Sequence, residues 1–142
     1  MKKLLLLFIA IMTVGILSAC GNNTSENEDI TTDDVISAFK DAGLEVGETS
    51  EMTKDDFGLG PMKSEEGIRF LIPSLGENNG GRILTYKNES DLDEMKEYYD
   101  SLGEESAMFF SWTIKHKNVL VQINGDLPEE KYEEYKKALE SL

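Results

Sequence analysis

The sequence predicts an α+β domain, with an antiparallel sheet of about four strands and about three helices packed on one face. Two observations predict this class. Apolar and polar residues alternate in two pairs of short segments, as they do in strands. Apolar residues three or four positions apart mark helices before, between and after these pairs. The resulting order is α-β-β-α-β-β-α, and its two consecutive helix-and-hairpin units favour an antiparallel sheet.

The predicted domain begins with a helix that Thr31 or Thr32 can cap. Its apolar stripe consists of Val35, Ile36 and Phe39. Gly43 is placed to end this helix, because helices commonly end at a glycine in the left-handed conformation. The following stretch, 45–64, has only scattered apolar residues. We expect irregular structure there, with one helical turn near 53–56.

Two β-hairpins are predicted next. Segments 67–73 and 82–87 alternate as strands, and a connection rich in glycine and asparagine joins them. Segments 109–116 and 119–124 form the second pair. Only residues 117 and 118 separate them, which indicates a tight turn.

A second helix lies between the hairpins, where Ser90 can cap its start and Gly103 can end it. Its apolar residues are Leu92, Met95, Tyr99 and Leu102. A third helix covers 128–142, and its first turn is acidic while its end carries lysines, which matches the helix dipole. Its expected buried side consists of Tyr132, Tyr135, Leu139 and Leu142.

The N-terminus has the three parts of an export signal: Lys2 and Lys3, an apolar stretch over 4–17, and small residues before a cysteine. The stretch is shorter than the roughly 20 residues that cross a bilayer. The residues at its end are Leu17, Ser18, Ala19 and Cys20, and they resemble a bacterial lipobox. This resemblance implies that a diacylglyceryl group is transferred to the Cys20 sulfur and that the chain is cut before Cys20.

The sequence thus predicts three parts: a signal peptide over 1–19 that is removed, a lipidated cysteine and flexible tether over 20–30, and a single α+β domain over 31–142. Residues 21–29 include no apolar side chain, which is typical of a tether. Two acyl chains on Cys20 would anchor the protein stably at the extracytoplasmic face of the cell membrane. Because Cys20 is the only cysteine, its acylation leaves no thiol for catalysis, disulfides or metal binding.

The formal net charge of −14 argues against nucleic acid as a partner, because the phosphate backbone would repel the domain. We interpret the acidic excess mainly as a soluble surface, with cationic partners as the alternative. No cofactor or metal is expected. The acidic pair at 55–56 and the acidic cluster of Asp91, Asp93 and Glu94 lack the ligand pattern of a calcium loop. The glycine-rich segment 76–81 leads into a strand, unlike a phosphate loop, and is interpreted as a hairpin connection.

Two segments are candidate binding surfaces. The first is a loop that combines backbone freedom, a proline and apolar side chains, and it consists of Gly58, Leu59, Gly60, Pro61 and Met62. It is either a binding tip or a loop folded over the edge of the core, and we favour the second interpretation. The second segment is the aromatic stripe Phe109, Phe110 and Trp112. It either lines a ligand groove or packs in the core, and core packing is favoured.

His116 is the only histidine, so any histidine-based catalysis must use it. Strand alternation places it at the rim of an apolar face, beside the hairpin turn. A role as general base or pH sensor would need a nucleophile or carboxylate nearby. The sequence pattern identifies none, and we therefore assign no catalytic residue.

Four stretches of the domain resemble small, uncharacterised Firmicute lipoproteins, some of which are labelled stress proteins. These stretches are 69–74 (RFLIPS), 80–82 (GGR), 109–112 (FFSW) and 120–125 (LVQING). Gly21, directly after the cysteine, resembles the pattern of lipoproteins retained at the cytoplasmic membrane, which suits a Gram-positive cell. The resemblance transfers no catalytic or binding residue.

The sequence therefore predicts a non-enzymatic, membrane-anchored lipoprotein that binds a protein or peptide at the cell envelope. The alternative is a small envelope enzyme, or a component that binds a ligand or substrate. A transporter-type binding protein is disfavoured, because such proteins need two lobes and about 110 residues form one domain.

Overall fold

The computed structural model describes residues 28–142. The helices are α1 (Thr32–Asp41), α2 (Glu89–Glu105) and α3 (Glu129–Glu140). The strands are β1 (Thr49–Glu51), β2 (Glu66–Leu71), β3 (Gly80–Thr85), β4 (Ser111–His116) and β5 (Val119–Asn124). All neighbouring strands are antiparallel, in the order β1-β2-β3-β5-β4. The predicted α+β class is confirmed, as is the order of the helices and of the four longer strands.

The sheet has five strands because β1 forms in the stretch that was expected to be irregular. Its three residues pair with β2, with Thr49 opposite Phe70 and Glu51 opposite Ile68. All three side chains are exposed, so β1 lacks the apolar alternation by which strands are recognised. The helical turn expected near 53–56 is confirmed as a 3₁₀ turn, Lys54–Phe57.

The helices lie on both faces of the sheet, and the prediction of a single helical face is wrong. Helices α1 and α3 share one cluster of buried residues with Ile83, while α2 shares another with Leu84. Successive residues of a strand point to opposite faces, so these clusters lie on the two sides of the sheet. The reason is visible in β5, where the apolar residues 119–121 follow one another without alternation and are all buried. A strand of this kind needs cover on both faces.

The core between the sheet and the α1/α3 layer is the larger of the two and centres on three aromatic rings. Phe39 meets Tyr135 edge to face at 5.0 Å and Phe70 at 5.8 Å between ring centroids. The Tyr135 hydroxyl donates a hydrogen bond to the Glu45 carbonyl oxygen at 2.6 Å. This core therefore joins α1, α3, β2 and the segment before β1. The second cluster, under α2, comprises Leu84, Tyr86, Leu92, Met95, Tyr99 and Leu120.

Capping explains where α1 begins and ends. Thr31 rather than Thr32 is the N-cap, since its hydroxyl accepts a hydrogen bond from the Asp34 backbone N–H at 3.2 Å. The Asp34 carboxylate in turn accepts one from the Thr31 backbone N–H at 2.9 Å, which completes a capping box. These hydrogen bonds lower the pKa of Asp34. Gly43 has φ +75° and follows the helix end, as expected.

The other helices depart from prediction at their ends. Asn88, not Ser90, precedes α2, and α2 continues through Gly103 to Glu105. A glycine in a helix costs only about 1 kcal/mol, and here it lets Phe110 pack within 3.3 Å of where a Cβ would stand. Leu142 lies beyond α3 and is 37% exposed, so it is not part of the buried side. Within residues 28–142, no helix is long and apolar enough to cross a membrane.

Candidate functional site

A cleft with a volume of about 500 Å³ lies at one end of the sheet. We call it the end cleft. Three segments form most of its lining: 78–82 at the start of β3, 107–111 at the start of β4, and residues 122 and 124–126 at the end of β5. Arg69 and Phe70 of β2 complete it. Strand pairing brings these segments together, because Leu71 pairs with Gly80 and Ser111 pairs with Asn124 at this end of the sheet. The cleft is therefore a product of the fold and not of one sequence motif.

One wall of the end cleft is apolar and exposed. Met108 is 85% exposed, Phe109 59% and Phe110 43%. They belong to a short 3₁₀ turn, Ala107–Phe109, and to the residue that follows it. The Ser106 hydroxyl holds the start of the turn by accepting a hydrogen bond from the Met108 N–H at 3.3 Å. No residue of this turn is buried, so its large side chains remain at the surface.

An aromatic stack supports this wall from behind. Phe110 meets Trp112 edge to face at 5.0 Å, and Trp112 stacks on Tyr132 of α3 at 4.3 Å. The Trp112 indole N–H donates to the Leu127 carbonyl oxygen at 2.9 Å. Of the predicted aromatic stripe, Trp112 therefore packs against the core as favoured. Phe109 and Phe110 instead line the cleft, which was the alternative interpretation.

Two glycines allow the cleft walls to approach one another. A Cβ on Gly125 would stand 2.3 Å from the Phe110 carbonyl oxygen, and one on Gly81 would stand 2.7 Å from the Phe70 ring. Real Cβ atoms do not approach other atoms so closely, so both positions need glycine. The segment before β3 is confirmed as a hairpin connection, as its glycines suggested.

The floor of the end cleft is polar. Asn124 donates to the Asn79 side-chain oxygen at 3.3 Å, and its own side-chain oxygen accepts from the Asp126 backbone N–H at 2.8 Å. Arg69 and Arg82 also line the cleft, while Asp126 is the only carboxylate among the lining residues. The floor thus presents two guanidinium groups, of which Arg69 is paired with the Asp56 carboxylate at 3.3 Å.

The predicted loop over 58–62 contributes no residue to the lining of the end cleft. Leu59 at its tip is 96% exposed and Met62 is 57% exposed. Gly60 lies against the Tyr98 ring of α2, where a Cβ would stand 2.8 Å from a ring carbon. The loop thus rests on α2, as a loop folded over the edge of the core would. It also projects Leu59 outward, as a binding tip would. Its role in binding stays a prediction.

His116 lies at the opposite end of the sheet from the cleft, where it pairs with Val119 beside the tight turn. Burial is the main cause that lowers the pKa of His116, and the charge of Lys117 lowers it further, while Glu140 opposes the shift. Its Nε2 is buried without a hydrogen-bond partner. Within residues 28–142, no group of three or more His, Cys, Asp or Glu side chains could hold a metal ion.

The domain is expected to lose stability as the pH falls below 6.5, the ordinary pKa of histidine. The pKa of His116 is lower in the folded domain than in the unfolded chain, so the unfolded chain binds more protons below this pH and acid favours unfolding. Replacing His116 with glutamine should flatten the stability profile between about pH 5 and 6.5, where most carboxylates do not yet titrate. Urea unfolding at several pH values measures this. An unchanged profile in the variant would contradict the assignment.

The beginning of the domain is clamped at the His116 end of the sheet. The Ile30 backbone N–H donates to the Asn118 side-chain oxygen at 2.8 Å, and the Asn118 side-chain nitrogen donates to the Ile30 carbonyl oxygen at 2.9 Å. The chain before Ile30 therefore enters the domain at the end opposite to the cleft. The predicted signal peptide, and with it Leu17, Ser18, Ala19 and Cys20, lies outside the described residues.

Fold and site together define a small α+β domain with a preformed cleft that is apolar on one wall and polar on its floor. Comparison with protein-family models, with curated proteins and with solved structures finds no match.

Proposed function

We propose that this protein is a membrane-anchored, extracytoplasmic lipoprotein that is held by an acylated Cys20 and binds a polypeptide in the end cleft. The observation that carries the binding part is the exposure of Met108, Phe109 and Phe110 on one wall of a preformed cleft. Apolar side chains held in this way bury area readily when a ligand covers them.

A polypeptide suits this cleft because its groups match both surfaces. Its apolar side chains can pack on the wall formed by Met108 and Phe109. Its backbone N–H and C=O groups can pair with Asn78 and Asn124, since asparagine side chains both donate and accept hydrogen bonds. The wall needs little ordering on binding, because the Trp112 stack already holds Phe110 in place.

The position of the cleft supports a role at the envelope. The clamp between Ile30 and Asn118 lies at the other end of strands that are six residues long. At about 3.3 Å per residue, the clamp and the cleft are roughly 15–20 Å apart along the sheet. A domain held through Cys20 would therefore present the cleft away from the membrane, where extracytoplasmic polypeptides can reach it.

The test uses the full chain in intact cells, with a photoreactive phenylalanine analogue placed at position 109. We expect illumination to produce covalent adducts with polypeptides, and a second change in the same chain, Phe110→Ser, to reduce their yield about ten-fold. The reason is that a well-packed aromatic anchor contributes more than about 1 kcal/mol of binding free energy. Gel analysis and mass spectrometry of the adducts measure this result.

The matched control carries the same analogue at position 59, which is exposed and does not line the cleft. Position 59 should yield few adducts, and Phe110→Ser should not alter them. Adducts at position 59 but not at 109 would overturn the proposal and would favour the loop over 58–62. Adducts at 109 that persist with Phe110→Ser would also contradict it.

A further inference from the structure

A polar row crosses the sheet beside the end cleft. The strand registers align its members side by side, and they are Ser50, Arg69, Arg82, Gln122 and Thr113. Arg82 and Gln122 are two residues from Leu84 and Leu120, so they lie on the face that α2 covers. Arg69 and Arg82 are directly opposite each other, an arrangement that is unfavourable for like charges without a compensating anion.

The described contacts supply only one carboxylate for these two guanidinium groups. Arg69 forms an ion pair with Asp56 at 3.3 Å. Arg82 donates only to the neutral side-chain oxygen of Gln122, at 2.7 Å. The Arg82 Nε is buried and has no hydrogen-bond partner. Arg82 is therefore the guanidinium group of the row whose charge is not neutralised by direct contact.

Tyr99 adds a second unpaired group in this region. Its side chain is 7% exposed, and its hydroxyl oxygen is buried without a partner. Burial raises the pKa of Tyr99 to about 12, while the charge of Arg82 acts in the opposite direction. The hydroxyl is therefore protonated at neutral pH and can donate a hydrogen bond. Buried donors without acceptors are costly, and of these two residues Arg82 lines the end cleft, where its guanidinium group can bind an anion.

We propose that the end cleft recognises a carboxylate of its polypeptide ligand through Arg82, with an adjacent apolar side chain of the ligand against Phe109. This inference rests on the proposed function and specifies its ligand. A guanidinium group binds a carboxylate with two parallel hydrogen bonds, a geometry that a neutral amide cannot match. A phosphate group fits less well, because Asp126 on the cleft lining would repel its additional charge.

The experiment measures binding of peptide pools to the full-length lipidated protein in detergent micelles. Each pool contains tetrapeptides whose first three positions are randomised and whose last residue is leucine or phenylalanine. The first pool ends in a free C-terminal carboxylate, and the second ends in a C-terminal amide. A third pool has the amide and an internal glutamate, which separates a terminal carboxylate from a side-chain carboxylate. Trp112 is the only tryptophan and contacts Phe110, so its fluorescence reports occupancy of the cleft.

We expect at least one carboxylate pool to bind about ten- to hundred-fold more tightly than the simple amide pool, as hydrogen bonds to charged groups predict. Arg82→Gln should reduce that affinity to about the level of the amide pool. Arg82→Lys, which keeps the charge but loses the paired hydrogen bonds, should give an intermediate affinity. The control is Lys87→Gln at the other end of the sheet, which removes the same charge and should have no effect.

The outcomes separate this inference from the proposed function. If the acid and amide pools bind equally and Phe109→Ser abolishes both, the carboxylate site is wrong and the peptide cleft stands. If inorganic phosphate competes more strongly than acetate, the preference for a carboxylate is wrong. If no pool binds and position 109 yields no adducts, both proposals fail. Thermal melts of each variant establish that it is folded.

Discussion

Replacing Cys20 with alanine is expected to abolish the mature, membrane-anchored form of this protein. The thioether to diacylglycerol can form only on a cysteine sulfur, and Cys20 is the only cysteine in the chain. Without the two acyl chains, the mature domain would lack a stable anchor. The variant should therefore be released or should remain as an uncut precursor. Membrane fractionation followed by mass spectrometry of the N-terminal peptide distinguishes these forms.

The matched control is Asn22→Ala, two residues into the predicted tether. It should leave lipidation and fractionation unchanged, because the tether needs no particular side chain there. An unmodified Cys20 in the wild-type protein, with the N-terminus uncut, would contradict the lipoprotein proposal. Normal anchoring of the Cys20→Ala variant would contradict it as well.

The elements that could be predicted are those whose cause is local in sequence. The capping box at Thr31, the left-handed Gly43 and the alternation in β2 all depend on residues within one turn or one strand. Neighbours in sequence fix such features, so a pattern of a few residues identifies them. For this reason the order of the helices and long strands was predictable.

Strand β1 and the second helical layer were missed because they depend on tertiary contacts. The side chains of β1 are all exposed, so its only cause is hydrogen bonding of its backbone to β2. The packing of helices on both faces of the sheet did have a sequence signal, namely the unbroken apolar run 119–121 in β5. A run of that kind indicates burial on both faces.

The end cleft was not predictable as a site, because its three segments are distant in sequence. Asn79, Phe109 and Asn124 meet only after the strands pair. Two signals were nevertheless present: consecutive phenylalanines after a serine that can cap a turn, and an arginine in each of two predicted strands. An arginine on a strand face that packs against a helix is unusual enough to suggest a polar site.

The polar row and the unpaired groups around it lower stability, and the opposite core must offset them. Each buried donor without a partner costs about 1–3 kcal/mol. The Arg82 Nε and the Tyr99 hydroxyl are two such groups on the α2 face. The α1/α3 face contains the larger buried cluster and the interlocking rings of Phe39, Phe70 and Tyr135. Stability should therefore depend more on this face than on the face that contains Arg82.

Phe39→Ala is expected to destabilise the domain by about 3–5 kcal/mol, the cost of removing a buried aromatic ring. Phe39 is fully buried and contacts both Phe70 and Tyr135, so a cavity would open where α1, α3 and β2 meet. A loss of this size is a large fraction of the roughly 5–15 kcal/mol that stabilises a domain. The melting temperature should fall by more than about 10 °C. Urea unfolding and thermal melts of the full chain measure both quantities.

Phe109→Ala is the matched control, because it removes the same ring from a side chain that is 59% exposed. Its free energy of unfolding should change by less than about 0.5 kcal/mol, as for other surface substitutions. The two phenylalanines should thus separate stability from binding, with Phe39 affecting the first and Phe109 the second. Equal destabilisation by both changes would mean that Phe109 packs as a core residue. That result would remove the apolar wall on which peptide binding in the end cleft depends.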